Sequence, residues 1–122
     1  LIDRMIFGPY MDEIVANHRL YPCKVGWAPA CGGYRYVSSL FKGKTVCLDK
    51  SGWDWTVPEW LIDEWLRFML WTLPEDNQFA RTIFQSRFRL LFHRAVFEFG
   101  DGMRVRQSFK GMMKSGCYLT IF

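Results

Sequence analysis

Residues 57–72 form an apolar segment with a narrow polar stripe, and any fold of this chain has to cover it. Glu59, Asp63 and Arg67 recur every four residues, which places them along one side of an α-helix. Nearly every other position is apolar: Trp60, Leu61, Ile62, Trp65, Leu66, Phe68, Met69, Leu70 and Trp71. A helix of this kind is buried on most of its circumference. The segment therefore predicts a helix that packs against several other elements.

The length and composition of the chain indicate one domain at most. Of its 122 residues, 50% are apolar and 18% aromatic, which excludes a disordered segment. No apolar run reaches the roughly 18 residues of a membrane span. The chain starts without Met or a signal-peptide pattern, and it stops without a residue that closes a helix or strand. We therefore expect a fragment of a longer protein, and whether it folds alone stays open.

The order of the predicted elements indicates an α+β fold. Residues 96–99 and 103–107 alternate around Gly100-Asp101-Gly102, which is typical of a β-hairpin. Thr56 and Glu59 have the spacing of a capping box at the start of the apolar helix. The remaining predictions are helices at 3–17, 34–41 and 76–93 (the last capped by Asp76), a loop at 21–33, a strand at 45–49 and a helix that follows 116.

Two aspartates lie close together around the turn "CLDKSGWDW". Asp49 ends the predicted strand, and Asp54 follows the Ser51-Gly52 turn between two tryptophans. Neighbouring unpaired carboxylates repel each other, and a hard divalent cation with oxygen ligands is the simplest stabiliser. The alternative is an ordinary solvated turn that begins with Asp and ends with Gly. The turn alone does not decide between these readings.

A second polar segment, "KSGCYLT", lies at residues 114–120. Ser115 and Gly116 come at the expected start of a helix, and Thr120 follows four positions after the glycine. A helix N-terminus offers backbone donors to an anion, while hydroxyl groups suit a sugar. The alternative is that Ser115 simply caps a helix.

Together, D-x-S-G-x-D followed some 60 residues later by S-G-x-x-x-T resembles the palm of viral RNA-dependent RNA polymerases. Asp49, Ser51, Gly52 and Asp54 match motif A of that family, and Ser115, Gly116 and Thr120 match motif B. The segments "CKVGWAPACGGYRYVSSLFKGK", "LDKSGWDWTVPEW" and "MKSGCYLTIF" are most similar to the sobemo-like polymerases of positive-strand RNA viruses. The resemblance covers nearly the whole chain.

The resemblance implies a partial right-hand palm with an adjoining fingers segment, in which an antiparallel sheet packs on helices. Residues 1–42 would connect fingers and palm, and residues 43–122 would form part of the palm. Motif A would span about 45–60 and motif B about 111–122. Motif B of the family continues to an Asn that would be residue 124, beyond the end of the chain. Motif C and the basic motif F are also expected outside the chain.

The resemblance also implies roles for the matched residues. Asp49 would be the catalytic metal ligand. The complete enzyme would bind two Mg²⁺ or Mn²⁺ ions and use them for template-directed nucleotidyl transfer. Asp54 would face the ribose together with Ser115, Gly116 and Thr120. The backbone of Lys50, Ser51, Gly52 and Trp53 would follow the triphosphate. Trp53 and Trp55 would anchor the turn on one side, with Asp54 pointing away.

The expected partners are template and product RNA, nucleoside triphosphates and the remaining polymerase domains, at replication complexes in the host-cell cytoplasm. The fragment alone is expected to be inactive. A net charge of +4 and a pI near 9.0 suit a polyanionic partner. Two other classes stay open, a non-catalytic basic and aromatic RNA-binding module and a viral structural protein. A zinc site at His18, Cys23 and Cys31 is a further, weaker alternative to reduced thiols.

Overall fold

The computed structural model describes residues 1–120, which divide into two compact units, residues 1–50 and 51–120. The first unit contains α1 (Ile2–Ala16), a 3₁₀ turn (Ala30–Gly32) and α2 (Gly33–Leu40). The second contains α3 (Trp53–Thr56), α4 (Glu59–Trp71), α5 (Gln78–Phe88), a π-helical turn (Arg89–His93), β1 (Val96–Glu98) and β2 (Arg104–Arg106). The predicted α+β class is confirmed. No helix within residues 1–120 has the length and apolar character needed to cross a membrane.

The core of the second unit is an aromatic cluster between α4, α5 and the π-helical turn. The Trp65 ring lies 5.3 Å from that of Phe88 and 5.9 Å from that of Phe92, and the two phenylalanine rings are 5.3 Å apart. Phe88 and Phe92 are fully buried. Tilted and edge-to-face pairs of this kind contribute about 0.5–1.5 kcal/mol each beyond the burial of their area. The cluster therefore holds the C-terminal end of the helical region against α4.

The helix predicted at 57–72 is present as α4, but the prediction that most of its circumference is buried is wrong for this chain. Only Ile62 and Met69 on α4 are buried. Trp60, Phe68 and Trp71 are 65%, 56% and 78% exposed. The reason is that the second unit offers α4 one packing surface, the aromatic cluster, which covers one face of the helix.

Both predicted caps of the long helices are wrong. Helix α4 begins after Pro58 without a side-chain cap, because Thr56 lies in α3 and donates its Oγ1 hydrogen to Gly52 O at 3.1 Å. Helix α5 is capped by Asn77 instead of Asp76, and Asn77 Oδ1 accepts a hydrogen bond from Ala80 N at 3.0 Å. A cap is decided by the local backbone conformation, and Asn and Asp serve equally well in that position.

The predicted β-hairpin is confirmed. Strands β1 and β2 are antiparallel, with Phe97 opposite Val105 and Glu98 opposite Arg104. The Arg104 and Glu98 side chains form an exposed ion pair at 2.8 Å across the hairpin. Exposed pairs of this kind contribute little stability, so the register depends mainly on the turn and on the alternation of side chains.

The strand predicted at 45–49 is absent, since these residues have no regular secondary structure. Val46 and Leu48 are 82% and 91% exposed. A β-strand needs a neighbouring strand for its backbone hydrogen bonds, and β1 and β2 pair only with each other. The β-branched sequence therefore does not suffice to form a strand here.

The first unit is held together by the loop after α1. Lys24 Nζ donates to the carbonyl oxygens of His18, Arg19 and Tyr21, and its ammonium lies 5.7 Å from the centre of the Tyr36 ring. Gly26 approaches α1 so closely that a Cβ there would lie 2.8 Å from Val15 O. The helices predicted at 3–17 and 34–41 are confirmed within one or two residues as α1 and α2.

The helix predicted after residue 116 is not formed within the described residues. Residues 118–120 are in turns, with hydrogen bonds from Cys117 N to Lys114 O and from Thr120 N to Cys117 O. Residues 121 and 122, which the motif B prediction includes, lie outside the described residues.

Candidate active site

Asp54 is carried by α3, a single helical turn. Gly52 precedes it with a φ of +64°, a left-handed conformation that favours glycine, and Gly52 O accepts hydrogen bonds from Trp55 N and Thr56 N. Residues 53–56 are therefore helical, and the predicted alternation that would place Trp53 and Trp55 on one side is wrong. Trp53 is half-buried, whereas Trp55 is 74% exposed, so Trp55 does not anchor the turn.

The loop that leads to Ser115 has an unusual backbone. Gly111 and Met112 have left-handed φ values of +102° and +58°. A left-handed residue with a long side chain is uncommon and needs other contacts to keep it there. Three backbone hydrogen bonds supply some of these contacts: Gly111 N to Phe92 O at 3.1 Å, Met113 N to Asp54 O at 2.8 Å and Cys117 N to Lys114 O at 2.9 Å.

The bond between Met113 and Asp54 brings the two motif segments to one cavity. Its volume is about 210 Å³, and it lies within the second unit. It is lined by Asp54, Trp55, Phe97, Met112, Met113, Lys114 and Ser115. Asp54 and Ser115, which are 61 positions apart in the chain, thus line one cavity together with apolar residues.

Two other residues of the second motif have different positions. Thr120 donates its Oγ1 hydrogen to Lys114 O at 2.9 Å, so it supports the loop from behind and is not among the lining residues of the cavity. Gly116 is exposed with a φ of +82°, and no atom lies within 4 Å of the position of a Cβ there. Its conformation, and not a close contact, favours glycine.

Lys114 has a half-buried ammonium group at the edge of the cavity. Its Nζ donates to Gln107 Oε1 at 2.7 Å and to Met112 O at 3.1 Å. Burial lowers the pKa of Lys114 from its usual value. Neither Lys114 nor Gln107 was among the residues that the sequence pointed to. Gln107 is a buried polar residue directly after a strand, and only its burial, which the sequence does not show, distinguishes it.

Asp49 belongs to the first unit, where it is exposed and outside regular structure. Lys50 lies in the same unit, and Ser51 begins the second one with an exposed side chain. Residues 1–120 contain no group of three or more His, Cys, Asp or Glu side chains that could hold a metal ion. The part of the chain that the structure describes therefore does not fit a complete metal centre, and this includes the alternative at His18, Cys23 and Cys31.

A separate group of charged side chains surrounds His93. Nε2 of His93 lies 3.5 Å from Asp63 Oδ1 and finds no hydrogen-bond partner among the described residues. Lys110 forms an ion pair with Glu59 at 2.5 Å and lies 3.9 Å from the other oxygen of Asp63. Burial lowers the pKa of His93, while Asp63 acts in the opposite direction. His93 is therefore packed against α4.

The lowered pKa of His93 predicts a pH dependence of stability. Between the usual histidine pKa of about 6.5 and the lower folded-state value, the unfolded chain binds more protons than the folded one. The contribution of His93 to the free energy of unfolding is thus complete above about pH 6.5 and is lost as the pH falls below that value. Burial sets most of the change in the folded-state pKa, and the charges of Asp63, Glu59, Lys110 and Lys114 modify it.

We expect the melting temperature of a protein that carries this segment to fall more steeply on acidification than that of its His93→Gln variant. The measurement is thermal unfolding of both proteins from about pH 7.5 to about pH 5.5. His18→Gln, which removes an imidazole from the first unit, is the matched control and should follow the unmodified protein. Parallel curves for the unmodified protein and His93→Gln would show that His93 contributes nothing to the pH dependence.

Comparison with known proteins identifies the class of protein to which this arrangement belongs. A profile of the family described as viral RNA-dependent RNA polymerase matches residues 1–120. The chain belongs to the viral RNA-dependent RNA polymerase family.

Three curated relatives are similar to the chain over 98% of its length. It is 32% identical to the replicase polyprotein P2AB of Southern bean mosaic virus, 30% identical to that of Southern cowpea mosaic virus and 32% identical to that of Cocksfoot mottle virus. The chain spans 13% of the length of each of these relatives. No solved structure matches it significantly.

Proposed function

We propose that the chain is a palm segment of an RNA-directed RNA polymerase, which adds nucleotides from nucleoside triphosphates to an RNA 3′ end under the direction of a template. The observation that carries the proposal is the cavity in which Asp54 of the first motif and Ser115 of the second lie together. Family membership supports the same activity. Residues 1–42 would connect the fingers to the palm, and residues 43–122 would belong to the palm.

The reaction joins the α-phosphate of the incoming nucleotide to the 3′-hydroxyl of the RNA and releases pyrophosphate. We assign the ribose to the cavity, because two of its lining residues suit a sugar: the Asp54 carboxylate can accept a hydrogen bond from a sugar hydroxyl, and the Ser115 hydroxyl can donate or accept one. Thr120 would hold Ser115 in place through its bond to Lys114 O. Gly116, with its left-handed conformation, would let the loop adjust when the nucleotide docks.

The backbone of residues 50–53 would follow the triphosphate. Gly52 is exposed, and its left-handed φ begins α3, so a phosphate group can approach the chain here without meeting a side chain. The half-buried Trp53, which contacts other residues of the chain, would hold this turn in place.

Asp49 would supply one carboxylate to the Mg²⁺ or Mn²⁺ ions that the family resemblance implies. Two such ions would supply charge stabilisation at the reacting phosphate and the two oxygens involved in the displacement. The described residues contain no further acids grouped for this purpose, so the remaining ligands would come from another part of a longer polymerase. Oxygen ligands are what Mg²⁺ prefers, and Asp49 is exposed and accessible for that role.

The partners that follow from this function are template and product RNA, nucleoside triphosphates and the other polymerase domains. A net charge of +4 suits contact with a polyanion. We place the protein at replication complexes in the host-cell cytoplasm, where a positive-strand RNA virus would need this activity. Exposed aromatic side chains on α4, such as Trp60 and Trp71, would be covered by the other domains.

The purified 122-residue chain is expected to show no polymerase activity with any template, primer or divalent metal. The reason is that its described residues contain no group of three or more acidic, His or Cys side chains that could hold the metal ions together with Asp49. The measurement is incorporation of labelled nucleotides on a primed RNA template, with a complete polymerase that contains the segment as the positive control. Template-dependent incorporation by residues 1–122 alone would show that the active centre is misplaced here. No incorporation by the complete polymerase would overturn the proposed function.

A further inference from the structure

Gln107 is a buried polar side chain that joins three parts of the second unit. It is 6% exposed. Its Nε2, which carries two hydrogens, lies within hydrogen-bond distance of three carbonyl oxygens, Phe92 O at 2.9 Å, Phe109 O at 2.7 Å and Gly111 O at 3.0 Å, so one hydrogen is shared. Its backbone N donates to Ala95 O at 2.8 Å. The residue therefore ties the π-helical turn, the end of the hairpin and the loop before Ser115 to one point.

The remaining polar atom of the Gln107 side chain holds Lys114. Gln107 Oε1 accepts a hydrogen bond from Lys114 Nζ at 2.7 Å, and Lys114 Nζ also donates to Met112 O at 3.1 Å. The ammonium lies 5.4 Å from the centre of the Phe92 ring and 5.9 Å from that of Phe97, within the range of cation–π attraction. Lys114 is thus engaged on several sides within the protein, and this arrangement favours a structural use of its charge over phosphate binding.

The loop between these two residues needs such support. Gly111 and Met112 both have left-handed backbone conformations, and the conformation of Met112 is costly for a residue with a side chain. The carbonyl oxygens of the same two residues accept the hydrogen bonds from Gln107 and Lys114. The side-chain network therefore stabilises the strained part of the loop, and Ser115 follows it directly.

We propose that Gln107 and Lys114 are positioning residues that hold the loop before Ser115 in place and so set the preference for ribose of the cavity that Asp54 and Ser115 line. The proposal rests on the proposed function, because it concerns the sugar of the incoming nucleotide. It adds two residues, Gln107 and Lys114, that are not among the positions matched to motif A or motif B. Lys114 itself lines the cavity, and the effect of Gln107 reaches the cavity through Lys114, through the loop at 111–114 and through the bond from Met113 N to Asp54 O.

The first test is Gln107→Glu in the complete polymerase. This change keeps the shape and an oxygen for Lys114 but removes the Nε2 donors and brings a carboxylate oxygen against three carbonyl oxygens. The readout is the ratio of kcat/KM for a ribonucleotide to that for the matching 2′-deoxyribonucleotide. We expect this ratio to fall by about tenfold or more, since buried hydrogen bonds lost without replacement have effects of that size. Gln85→Glu, the same change on the exposed side of α5, is the matched control and should leave the ratio unchanged.

The ratio distinguishes positioning from a general loss of folded enzyme. A smaller folded fraction lowers the rates of both substrates by the same factor and leaves their ratio and their KM values unchanged. An unchanged ratio for a folded Gln107→Glu enzyme would overturn the inference, even if total activity falls. The proposed function would survive that result, because the unmodified polymerase would still incorporate nucleotides.

A second pair of variants decides the matter if Gln107→Glu does not fold. Lys114→Met replaces the side chain with an apolar one of similar length and removes the charge and both hydrogen bonds. Lys114→Arg keeps a positive charge and donors. We expect the sugar ratio to fall about tenfold in Lys114→Met and substantially less in Lys114→Arg. Equal ratios in the unmodified enzyme and Lys114→Met would overturn the inference. An unmodified polymerase without template-dependent incorporation would overturn it together with the proposed function.

Discussion

Replacing Asp49 with Asn should lower nucleotide incorporation by a complete polymerase that carries this segment roughly a hundredfold or more. The amide has nearly the same shape as the carboxylate but lacks the negative charge that strengthens the binding of a divalent cation. Asp49 is exposed and lies outside regular structure, so the substitution should change the free energy of unfolding by no more than about 0.5 kcal/mol. The measurement combines single-nucleotide incorporation with thermal unfolding.

The matched control for this substitution is Asp12→Asn. Asp12 is an exposed aspartate on α1 in the same unit, and the same chemical change there should leave incorporation unaffected. Near-normal turnover of the Asp49→Asn enzyme would remove Asp49 from the metal-binding role. A large loss of activity with an unchanged melting temperature would support that role.

Replacing Asp54 with Ala should reduce ribonucleotide incorporation far more than deoxyribonucleotide incorporation. Asp54 and Ser115 line one cavity, and we assign the Asp54 carboxylate to the ribose 2′-hydroxyl. A site that binds a hydroxyl group leaves a buried polar group unpaired when the hydroxyl is missing, and such sites discriminate by roughly 10⁴-fold. The measurement is kcat/KM for both substrates, and the ratio should approach unity in the variant.

The structure provides a way to separate this role from a structural one. Asp54 holds the loop through its main-chain oxygen, which accepts from Met113 N, and this bond remains in Asp54→Ala. Asp54→Asn keeps a side-chain acceptor and should therefore retain more discrimination than Asp54→Ala. An equal fall for both substrates in Asp54→Ala would mean that the side chain is structural and that the sugar is recognised elsewhere.

The elements that the sequence predicts well are those whose pattern is local. The hairpin follows from alternation around Gly100-Asp101-Gly102, and α1, α2, α4 and α5 follow from helical periodicity. The strand at 45–49 fails because a strand depends on a partner that a local pattern does not identify. The cap of α5 shifts by one position, from Asp76 to Asn77, because adjacent residues of equal capping ability are decided by backbone geometry.

The predicted burial of α4 fails for a related reason. Periodicity shows which face of a helix is apolar, but it does not show how much of that face the described chain covers. Trp65 packs on Phe88 and Phe92, whereas Trp60 and Trp71 remain exposed. A short motif such as D-x-S-G-x-D likewise does not show which other residues hold its side chains in place in the folded protein.

The sequence predicted two residues that line one cavity, Asp54 and Ser115, and their roles in ribose binding stay predictions. Thr120 was singled out as a sugar-binding residue, but it bonds to Lys114 O, and its part in ribose recognition stays a proposal. The sequence did not predict the proposed positioning role of Gln107, because that role depends on three carbonyl groups that come together only in the folded chain.

The close approach of Gly111 to the start of α4 limits how this sequence can drift. A Cβ at position 111 would lie 2.6 Å from Val57 O, a main-chain atom that no side-chain rearrangement can move away. Every single-nucleotide change that alters this codon's amino acid would therefore meet the same obstacle, whatever residue it introduces. Among genomes descended from one ancestor, lineages that lose this glycine would have to shift the backbone before α4 at the same time.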